Sequence, residues 1–283
     1  MSWNFPESPR NIKGPTLGGK YIWSDLYLLA GWRIQKNFLS GHFRLLDDQD
    51  NRQAWGSYDH CRDRLEDFRS ERGLQFSSRH IILLLHGLGR HKNTMAKTAG
   101  FLRERGHQAF CLNYPSTLQS LTSHADDLVH LLSNLHGVTS VDFIGHSLGG
   151  LVAREVLNRK NWRARIDARH LVMLGTPNNG ARIADMINGL KLYQAIAGPS
   201  GQDVRPYKAQ ALPPPDVPTL VIAGGRGVKA GFNPLLGEDN DGIVTVNETK
   251  IDGMAAFKRV KVIHTTIMDH PDSLQAIAAF IER

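Results

Sequence analysis

The sequence predicts an α/β fold built on a mostly parallel, doubly wound sheet. Two observations favour it: short apolar runs rich in β-branched and aromatic residues recur along the chain, and stretches with apolar residues at helical spacing separate them. Strands that alternate with helices in this way form parallel sheets with helices on both faces. With 283 residues, of which 41% are hydrophobic and 22% charged, the chain can bury one sizeable core. We therefore expect one α/β domain with a smaller appendage.

The parallel sheet is predicted within residues 78–283. Its strands are expected near residues 81–86, 108–113, 141–145, 170–175, 218–223 and 258–263. Its helices are expected near residues 93–105, 120–136, 148–158 and 272–282. The segment 182–217 is too long for a simple crossover, and we predict that it carries a small helical cap.

Residues 1–77 are predicted to form an N-terminal extension that packs on this domain. Apolar residues at near-helical spacing predict a helix over Trp23–Leu39, and they leave open an amphipathic helix at a membrane surface. Charged residues interrupt this segment, which excludes a transmembrane helix. Phe43–Leu46 and Ala54–Ser57, on either side of a polar turn, predict a hairpin. A further helix is predicted from the apolar face formed by Cys61, Leu65 and Phe68.

A G-x-S-x-G pentapeptide, Gly145–Gly149, lies between a predicted strand and a predicted helix. The run Val141–Ile144 before it is typical of a buried strand, and apolar residues recur at helical spacing after it. A serine on such a turn is exposed at the carboxyl edge of the sheet, beside a helix N-terminus that stabilises negative charge. The pattern predicts a nucleophile elbow with Ser147 as the nucleophile.

Two further segments make the chain resemble the α/β-hydrolase superfamily, and within it the lipases and carboxylesterases. Ile81–Gly89 is similar to the strand and His-Gly loop of lipases and esterases. Leu171–Gly180 resembles the strand and Gly-Thr-Pro turn of microbial lipases and inositol-deacylase-like hydrolases. The resemblance covers about residues 80–283. Because many esterases share these motifs, they indicate the chemistry better than the substrate.

The resemblance implies a triad in the chain order serine, acid, histidine. A serine hydroxyl needs a base to become a nucleophile, and the base needs an acid that fixes its tautomer. Only His264 and His270 lie beyond every candidate acid. His264 directly follows a predicted strand, whereas His270 precedes Pro271 at the predicted start of a helix. We therefore expect His264 to be the base.

The acid should lie in the loop that follows the strand near residues 218–223, which leaves Glu238, Asp239 and Asp241. We favour Asp241, because Asp241–Val244 resembles the Asp-Gly-x-Val turn that carries the lipase acid. Two other interpretations stay open for this cluster. It could be a solvated turn, or its oxygens could bind calcium.

The same resemblance implies an oxyanion hole formed by the backbone amides of Leu88 and Leu148. Leu88 follows the His-Gly pair, and Leu148 follows the nucleophile. His86 and His146 flank this site, and we expect them to have structural, hydrogen-bonded roles.

The cap is predicted to supply the acyl pocket. Its apolar residues recur at three- and four-residue spacing, as on one helical stripe. Met186 and Leu190 belong to that stripe, and we expect them to line the pocket.

Charge and cysteine content limit the partners. The net charge of +7 would suit an anionic surface, but no aromatic-interleaved basic module indicates nucleic-acid binding. We expect no nucleic-acid partner and leave open a weak contact with a membrane surface. Cys61 and Cys111 do not imply a disulfide framework. The first residues lack the pattern of a secretory signal, so a cytoplasmic location is expected.

Together these features predict a serine hydrolase that cleaves small-molecule or lipid carboxylic esters through an acyl-enzyme intermediate, with no cofactor and no metal. An acyltransferase with the same triad, in which an alcohol replaces water, is one alternative. A non-catalytic binding module on the same fold is another. Product analysis with and without an added alcohol separates the first two, and labelling of the serine excludes the third.

Overall fold

The N-terminal residues form a five-stranded antiparallel sheet with the spatial order β1-β5-β4-β3-β2. The computed structural model describes residues 14–15, 20–183 and 198–283. The strands of this sheet are β1 (Gly14–Pro15), β2 (Trp23–Leu29), β3 (Trp32–Asn37), β4 (Phe43–Leu46) and β5 (Asn51–Gly56). Each strand pairs antiparallel with its neighbour in the sheet.

The predicted helix over Trp23–Leu39 is wrong, because this segment forms the β2–β3 hairpin. Ala30 and Gly31 make its turn with φ values of 49° and 92°, and two consecutive positive φ values suit a tight two-residue hairpin. All seven residues of β2 are buried. Leu28 belongs to the core of the parallel sheet and Tyr27 to the core of the N-terminal sheet, so both faces of β2 are covered. A strand covered on both faces lacks the alternation that would have identified it. The possibility that this segment is an amphipathic helix at a membrane surface is therefore also excluded, because it forms strands.

The predicted hairpin and the helix after it are confirmed. Strands β4 and β5 pair antiparallel, and helix α1 (Tyr58–Arg72) packs its buried residues Cys61, Leu65 and Phe68 against the sheet. The Ser57 side chain caps the start of α1 by accepting a hydrogen bond from the His60 amide. Gly73, with φ of 62°, ends the helix.

A six-stranded parallel sheet with the spatial order β11-β10-β9-β8-β6-β7 follows, as predicted. Its strands are β6 (His80–Leu85), β7 (Ala109–Leu112), β8 (Ser140–His146), β9 (Asp167–Leu174), β10 (Thr219–Gly224) and β11 (Ala256–Val260). The described helices are α2 (Ala96–Glu104), α3 (Leu121–Ser133), α4 (Leu148–Leu157), α5 (Pro206–Ala209), α6 (Val246–Thr249) and α7 (Pro271–Ile281). Short 3-10 helices lie at Lys20–Ile22, Lys92–Met95, Pro234–Leu236 and His264–Asp269.

Helices cover both faces of this sheet. Leu83 of β6 belongs to the cluster with α3 and α4, and its neighbour Leu84 belongs to the cluster with α2 and α7. This arrangement explains the uninterrupted apolar run of β6, since both faces of a doubly wound strand are buried. It also places all six carboxyl ends of the strands at one edge.

The predicted cap is described only at its ends. Residues 184–197, which include Met186 and Leu190, lie outside the described residues. Residues 198–203 are helical and α5 follows them. The buried Arg154 of α4 fixes the segment that leads into β10, because its guanidinium donates to the carbonyl oxygens of Leu212 and Pro213.

Both cysteines, Cys61 and Cys111, are buried free thiols. Across the described ranges, none of the helices combines the length and the apolar character that crossing a membrane requires.

The buried histidines generate a prediction about acid stability. Burial in α3 lowers the pKa of His124 to about 3. Because its folded-state pKa lies below its unfolded value near 6.5, the unfolded chain binds more protons in this window, and stability falls as the pH falls. Between pH 7.5 and pH 5.0, His124 alone should remove about 2 kcal/mol from the free energy of unfolding.

Urea denaturation of the parent and of His124→Gln at the two pH values measures this loss, which the variant should lack. His130→Gln, at an exposed position of the same helix, should behave like the parent. Equal losses in parent and His124→Gln would refute the assignment.

Candidate active site

Ser147 alone forms the turn between β8 and α4. Its φ and ψ are 54° and −119°, a strained conformation for a residue with a side chain. The Ser147 amide donates to the Leu174 carbonyl at the end of β9, 2.9 Å away, which ties the turn to the neighbouring strand. Ser147 is partly exposed, whereas the residues on either side of it are buried. The backbone therefore presents this serine at the carboxyl edge of the sheet.

Glycines allow this turn because the backbones approach too closely for side chains. A Cβ on Gly149 would collide with the carbonyl oxygen of Leu85 in β6, and one on Gly150 would collide with the Thr176 side chain. The first turn of α4 is thus in close contact with the end of β6 and with the turn that follows β9. That contact fixes the position of Ser147.

Asp241 and His264 form a buried hydrogen-bonded pair. The His264 Nδ1 donates to Asp241 Oδ2 at 2.7 Å, and the His264 amide donates to the Asp241 carbonyl at 2.9 Å. The other carboxylate oxygen of Asp241 accepts from the amides of Ile243 and Val244 at 3.0 and 2.8 Å. The two side chains are 0% and 8% exposed for Asp241 and His264. A proton on Nδ1 leaves Nε2 of His264 as the basic nitrogen.

This pair lies beside the serine turn. A Cβ on Gly175, which follows β9, would lie 3.1 Å from His264 Nδ1 and 3.2 Å from Asp241 Oδ2. His146, the residue before Ser147, donates from Nε2 to the His264 carbonyl at 3.0 Å. The structure thus brings Asp241 and His264 together at the edge that carries Ser147. Within the described ranges, no hydrogen bond joins Ser147 Oγ to the His264 ring.

The rival candidates have structural contacts. His270 caps α7, since its Nδ1 accepts from the Asp272 amide at 3.2 Å. Glu238 accepts from Arg182 at 2.7 Å and from the Asn247 side chain at 2.8 Å. In the part of the chain that the structure describes, no group of three or more His, Cys, Asp or Glu residues is arranged to hold a metal ion.

Asp239, the third candidate acid, stabilises the loop after β10. Its carboxylate accepts from the amides of Arg226 and Gly227 at 2.7 and 2.9 Å, and from the Arg259 guanidinium at 3.0 Å. This carboxylate does not contact His264. It therefore offers a matched control for Asp241.

The His-Gly loop after β6 packs against the serine turn. A Cβ on Gly87 would lie 3.2 Å from Cβ of Ser147 and 2.9 Å from Nδ1 of His146. Leu148 is the first residue of α4, so its amide has no intrahelical acceptor. Among the hydrogen bonds of the described residues, the Leu88 amide donates none. Two unused amides therefore belong to the two segments that meet at Ser147.

His86 and His146 are buried neutral side chains. Burial lowers the pKa of His86 to about 4 and holds that of His146 well below its usual value, with the His264 ring adding to the second effect. His86 donates from Nδ1 to the Gly87 carbonyl at 2.9 Å. These hydrogen bonds and the burial match the structural roles predicted for both.

The sequence analysis does not single out the support of the His-Gly loop. Tyr114 stacks on the His86 ring with 4.1 Å between centroids, and its hydroxyl donates to the His86 carbonyl. Ser116 Oγ accepts from the Gly89 amide at 3.0 Å. A signal was available, because both residues come soon after a predicted parallel strand and such positions lie at the carboxyl edge.

The described residues include a cavity of about 400 Å³ near the loop of Asp241. It is lined by Asn179, Arg182, Gln210, Glu238, Thr245, Asn247 and Glu248. Neither Leu88 nor Leu148 lines it. The apolar acyl pocket therefore stays a prediction, and Met186 and Leu190 lie outside the described residues.

A second Ser-His-Asp set occupies the opposite end of β8. Ser140 Oγ lies 2.9 Å from Nδ1 of His80, and Nε2 of His80 lies 3.0 Å from Asp142 Oδ2. His170 Nδ1 contacts the other Asp142 oxygen at 3.0 Å. All three residues of this set lie in strands, His80 in β6 and the other two in β8. The set has the same residue types as the first site but lacks its strained turn.

The parallel sheet, the strand-turn-helix at Ser147 and the buried Asp-His pair at the same edge define an α/β-hydrolase fold. The chain belongs to the family described as a Domain of unknown function, DUF7379, which matches residues 50–198. No curated protein has a sequence that matches this chain.

Solved structures share the fold. The mature lipase BlEst2 of Bacillus licheniformis is 17% identical, with a TM-score of 0.59 over 73% of this chain and 92% of that chain. The metagenomic carboxyl esterase MGS0156 is 15% identical, with a TM-score of 0.55 over 73% and 76%. A gene product of Listeria innocua is 19% identical, with a TM-score of 0.52 over 72% and 94%. At these identities, the similarity shows the α/β-hydrolase fold.

The close approach of α4 to the sheet generates a prediction about two helical glycines. Gly149→Ala should lower the free energy of unfolding by at least about 2 kcal/mol, because the new Cβ collides with the backbone of Leu85. Gly100→Ala in α2 meets open space and should raise it by about 0.5–1 kcal/mol, since alanine favours helices. Chemical denaturation of both variants measures the difference. If Gly149→Ala were as stable as the parent, α4 could not pack on β6 as described.

Proposed function

We propose that this protein is a serine hydrolase that cleaves carboxylic esters through an acyl-enzyme intermediate on Ser147. The observation that carries the proposal is the 2.7 Å contact between His264 and Asp241 beside the strained turn of Ser147. A base oriented by a buried carboxylate, next to a partly exposed serine, is the arrangement that activates a hydroxyl nucleophile. The contact between serine and base often tightens only when substrate binds.

In the proposed reaction, Ser147 Oγ attacks the acyl carbonyl while Nε2 of His264 takes the hydroxyl proton. The tetrahedral intermediate expels the alcohol, which leaves with that proton, and an acyl ester on Ser147 remains. A water molecule then gives a proton to His264 and attacks the acyl carbon. His264 returns the proton to Ser147 as the carboxylic acid departs. Asp241 keeps the imidazole in the required tautomer and stabilises the imidazolium.

The amides of Leu88 and Leu148 are proposed to bind the developing oxyanion. Both are backbone donors without a partner of their own, and their two segments meet at Ser147. The N-terminus of α4 adds a partial positive charge at the same place. Each donor of this kind contributes about 10²- to 10³-fold to the rate.

The named activities of structures with this fold support the reaction class. Two of them are called a lipase and a carboxyl esterase, so ester hydrolysis is a chemistry that this fold supports. The proposed substrate is a small-molecule or lipid ester; Met186 and Leu190, which the sequence predicts for the acyl pocket, lie outside the described residues. No step of the proposed reaction requires a cofactor.

Labelling with a fluorophosphonate probe tests the nucleophile. Ser147→Ala should abolish labelling and the hydrolysis of p-nitrophenyl esters, because only the attacking oxygen is removed. Ser140→Ala provides a matched control from the opposite end of β8, where the serine also contacts a histidine that contacts an aspartate. It should label and hydrolyse like the parent. Labelling that survives in Ser147→Ala would contradict the proposal.

Paired variants test the base and the acid. His264→Ala should lower kcat by several orders of magnitude, and Asp241→Asn by about 10⁴-fold, since an amide favours the wrong tautomer. His270→Ala and Asp239→Asn should keep kcat within a few-fold, because their contacts are with a helix end and a loop. Steady-state kinetics with one p-nitrophenyl ester ranks all four. A larger loss in either control than in its partner would reassign that role.

A further inference from the structure

The His-Gly loop does not rest on the parallel sheet alone. Its contacts run to residues 113–116, which follow β7. There Tyr114 holds His86 by ring stacking and by its hydroxyl, and Ser116 accepts from the Gly89 amide. The Lys92 amide, just beyond the loop, donates to the Asn113 side chain at 3.2 Å. The position of the loop that carries the Leu88 amide therefore depends on the position of residues 113–116.

The N-terminal sheet in turn fixes Asn113. The Asp25 amide donates to the Asn113 carbonyl at 2.9 Å, and the Asn113 amide donates to Asp25 Oδ2 at 2.7 Å. The Asn113 side chain donates to the carbonyls of Lys20 and Trp23 at 2.6 and 2.8 Å. Three hydrogen bonds thus join Asn113 to the edge strand β2 of the N-terminal sheet, and a fourth joins it to Lys20 in the 3-10 turn before that strand.

The Asp25 carboxylate is itself held from inside the N-terminal sheet. Its Oδ1 accepts from the Gln35 side chain at 2.6 Å, and Gln35 Oε1 accepts from Arg44 at 2.8 Å. All three side chains are buried. A buried carboxylate that accepts from two donors orients both of them. Loss of one of these hydrogen bonds leaves a buried polar group unsatisfied, which is costly.

A second link joins the same two parts of the protein. Lys92 Nζ contacts Asp50, in the turn between β4 and β5, at 2.6 Å, and Asp50 lies 3.6 Å from the buried Arg33 of β3. Strands β2, β3 and β4 lie before the residues that match the family, which begin at residue 50. The support of the loop therefore comes from a part of the chain outside that match.

We infer that the N-terminal sheet positions the oxyanion loop, with Asp25 as the positioning residue that acts through Asn113 and Tyr114 on the Leu88 amide. The inference rests on the proposed function. It gives the sheet a part in catalysis beyond packing, because an oxyanion donor is effective only when it is held in place before charge develops. Displacement of the donor should slow the chemical step and leave substrate binding intact.

The test uses the full chain and the near-isosteric variant Asp25→Asn. An asparagine cannot accept from both the Asn113 amide and Gln35 without turning its own NH₂ group toward a donor. We expect kcat for a p-nitrophenyl ester to fall about tenfold with KM within twofold, a part of the loss that follows complete removal of one oxyanion donor. The inhibition constant of a trifluoromethyl ketone, whose hemiketal oxyanion occupies the same position, should weaken by the same factor.

Ser57→Ala is the matched control. Ser57 accepts from the His60 amide at the start of α1, which packs on the N-terminal sheet, so its loss destabilises this part of the protein without touching Asn113 or the turn that carries Asp50. It should lower Tm and leave kcat and the inhibition constant unchanged at a temperature where every variant is folded. An Asp25→Asn protein with a lowered Tm and the kcat of the parent would reduce the sheet to a structural role and overturn the inference.

A double-mutant cycle of Asp25→Asn and Tyr114→Phe tests whether the two residues act along the same path. Tyr114→Phe removes the hydroxyl that holds the His86 carbonyl, and it should lower kcat by itself. Because Asp25 and Tyr114 share the path to Leu88, the double variant should lose less than the product of the single losses. Strictly multiplicative losses, or a Tyr114→Phe protein with the parental kcat, would also overturn the inference. If the parent is not labelled by a fluorophosphonate, the proposed function fails; if it is labelled and these variants match it, only the role of the sheet fails.

Discussion

The contact between the first turn of α4 and the sheet is the constraint on which the site depends. Gly149 lies so close to the carbonyl of Leu85 that no side chain fits between them, and the chain must therefore reverse within one residue. Ser147 makes that reversal at φ of 54°. A backbone this crowded cannot relax without separating the helix from β6 and from the turn after β9, so the packing of the core maintains the strain at Ser147. The free Leu148 amide is a product of the same geometry.

The other parts of the site are arranged around this turn by separate means. Asp241 is fixed by two amides of its own loop, which orient the carboxylate before His264 meets it. His146 joins the serine turn to the histidine loop through the His264 carbonyl. The His-Gly loop is supported by residues after β7, which contact the N-terminal sheet. A local turn thus orients Asp241, whereas contacts between residues far apart in the chain hold the His-Gly loop.

This difference explains how much could be predicted. The order of the parallel strands and helices, and the proximity of Asp241 to His264, follow from local patterns and from the rule that carboxyl ends of parallel strands share an edge. The β2–β3 hairpin was mistaken for a helix because both faces of β2 are buried and its turn, Ala30 and Gly31, lacks the usual asparagine or aspartate. The contact of Asp25 with Asn113 joins residues 88 positions apart, and no periodicity or motif connects them.

The set Ser140, His80 and Asp142 shows what the side chains alone do not provide. Strand β8 carries a serine at each end, and each serine lies near a histidine that contacts a buried aspartate. The ends differ in electrical polarity. Helix α3 ends at Ser133, before Ser140 begins β8, so its carbonyl-rich C-terminus belongs to the edge of the sheet that carries Ser140, whereas α4 begins directly after Ser147. The helix dipoles would destabilise an alkoxide on Ser140 and stabilise one on Ser147. Residue types alone would therefore not distinguish the two ends of this strand, whereas the strained serine turn and the direction of the peptide dipoles do.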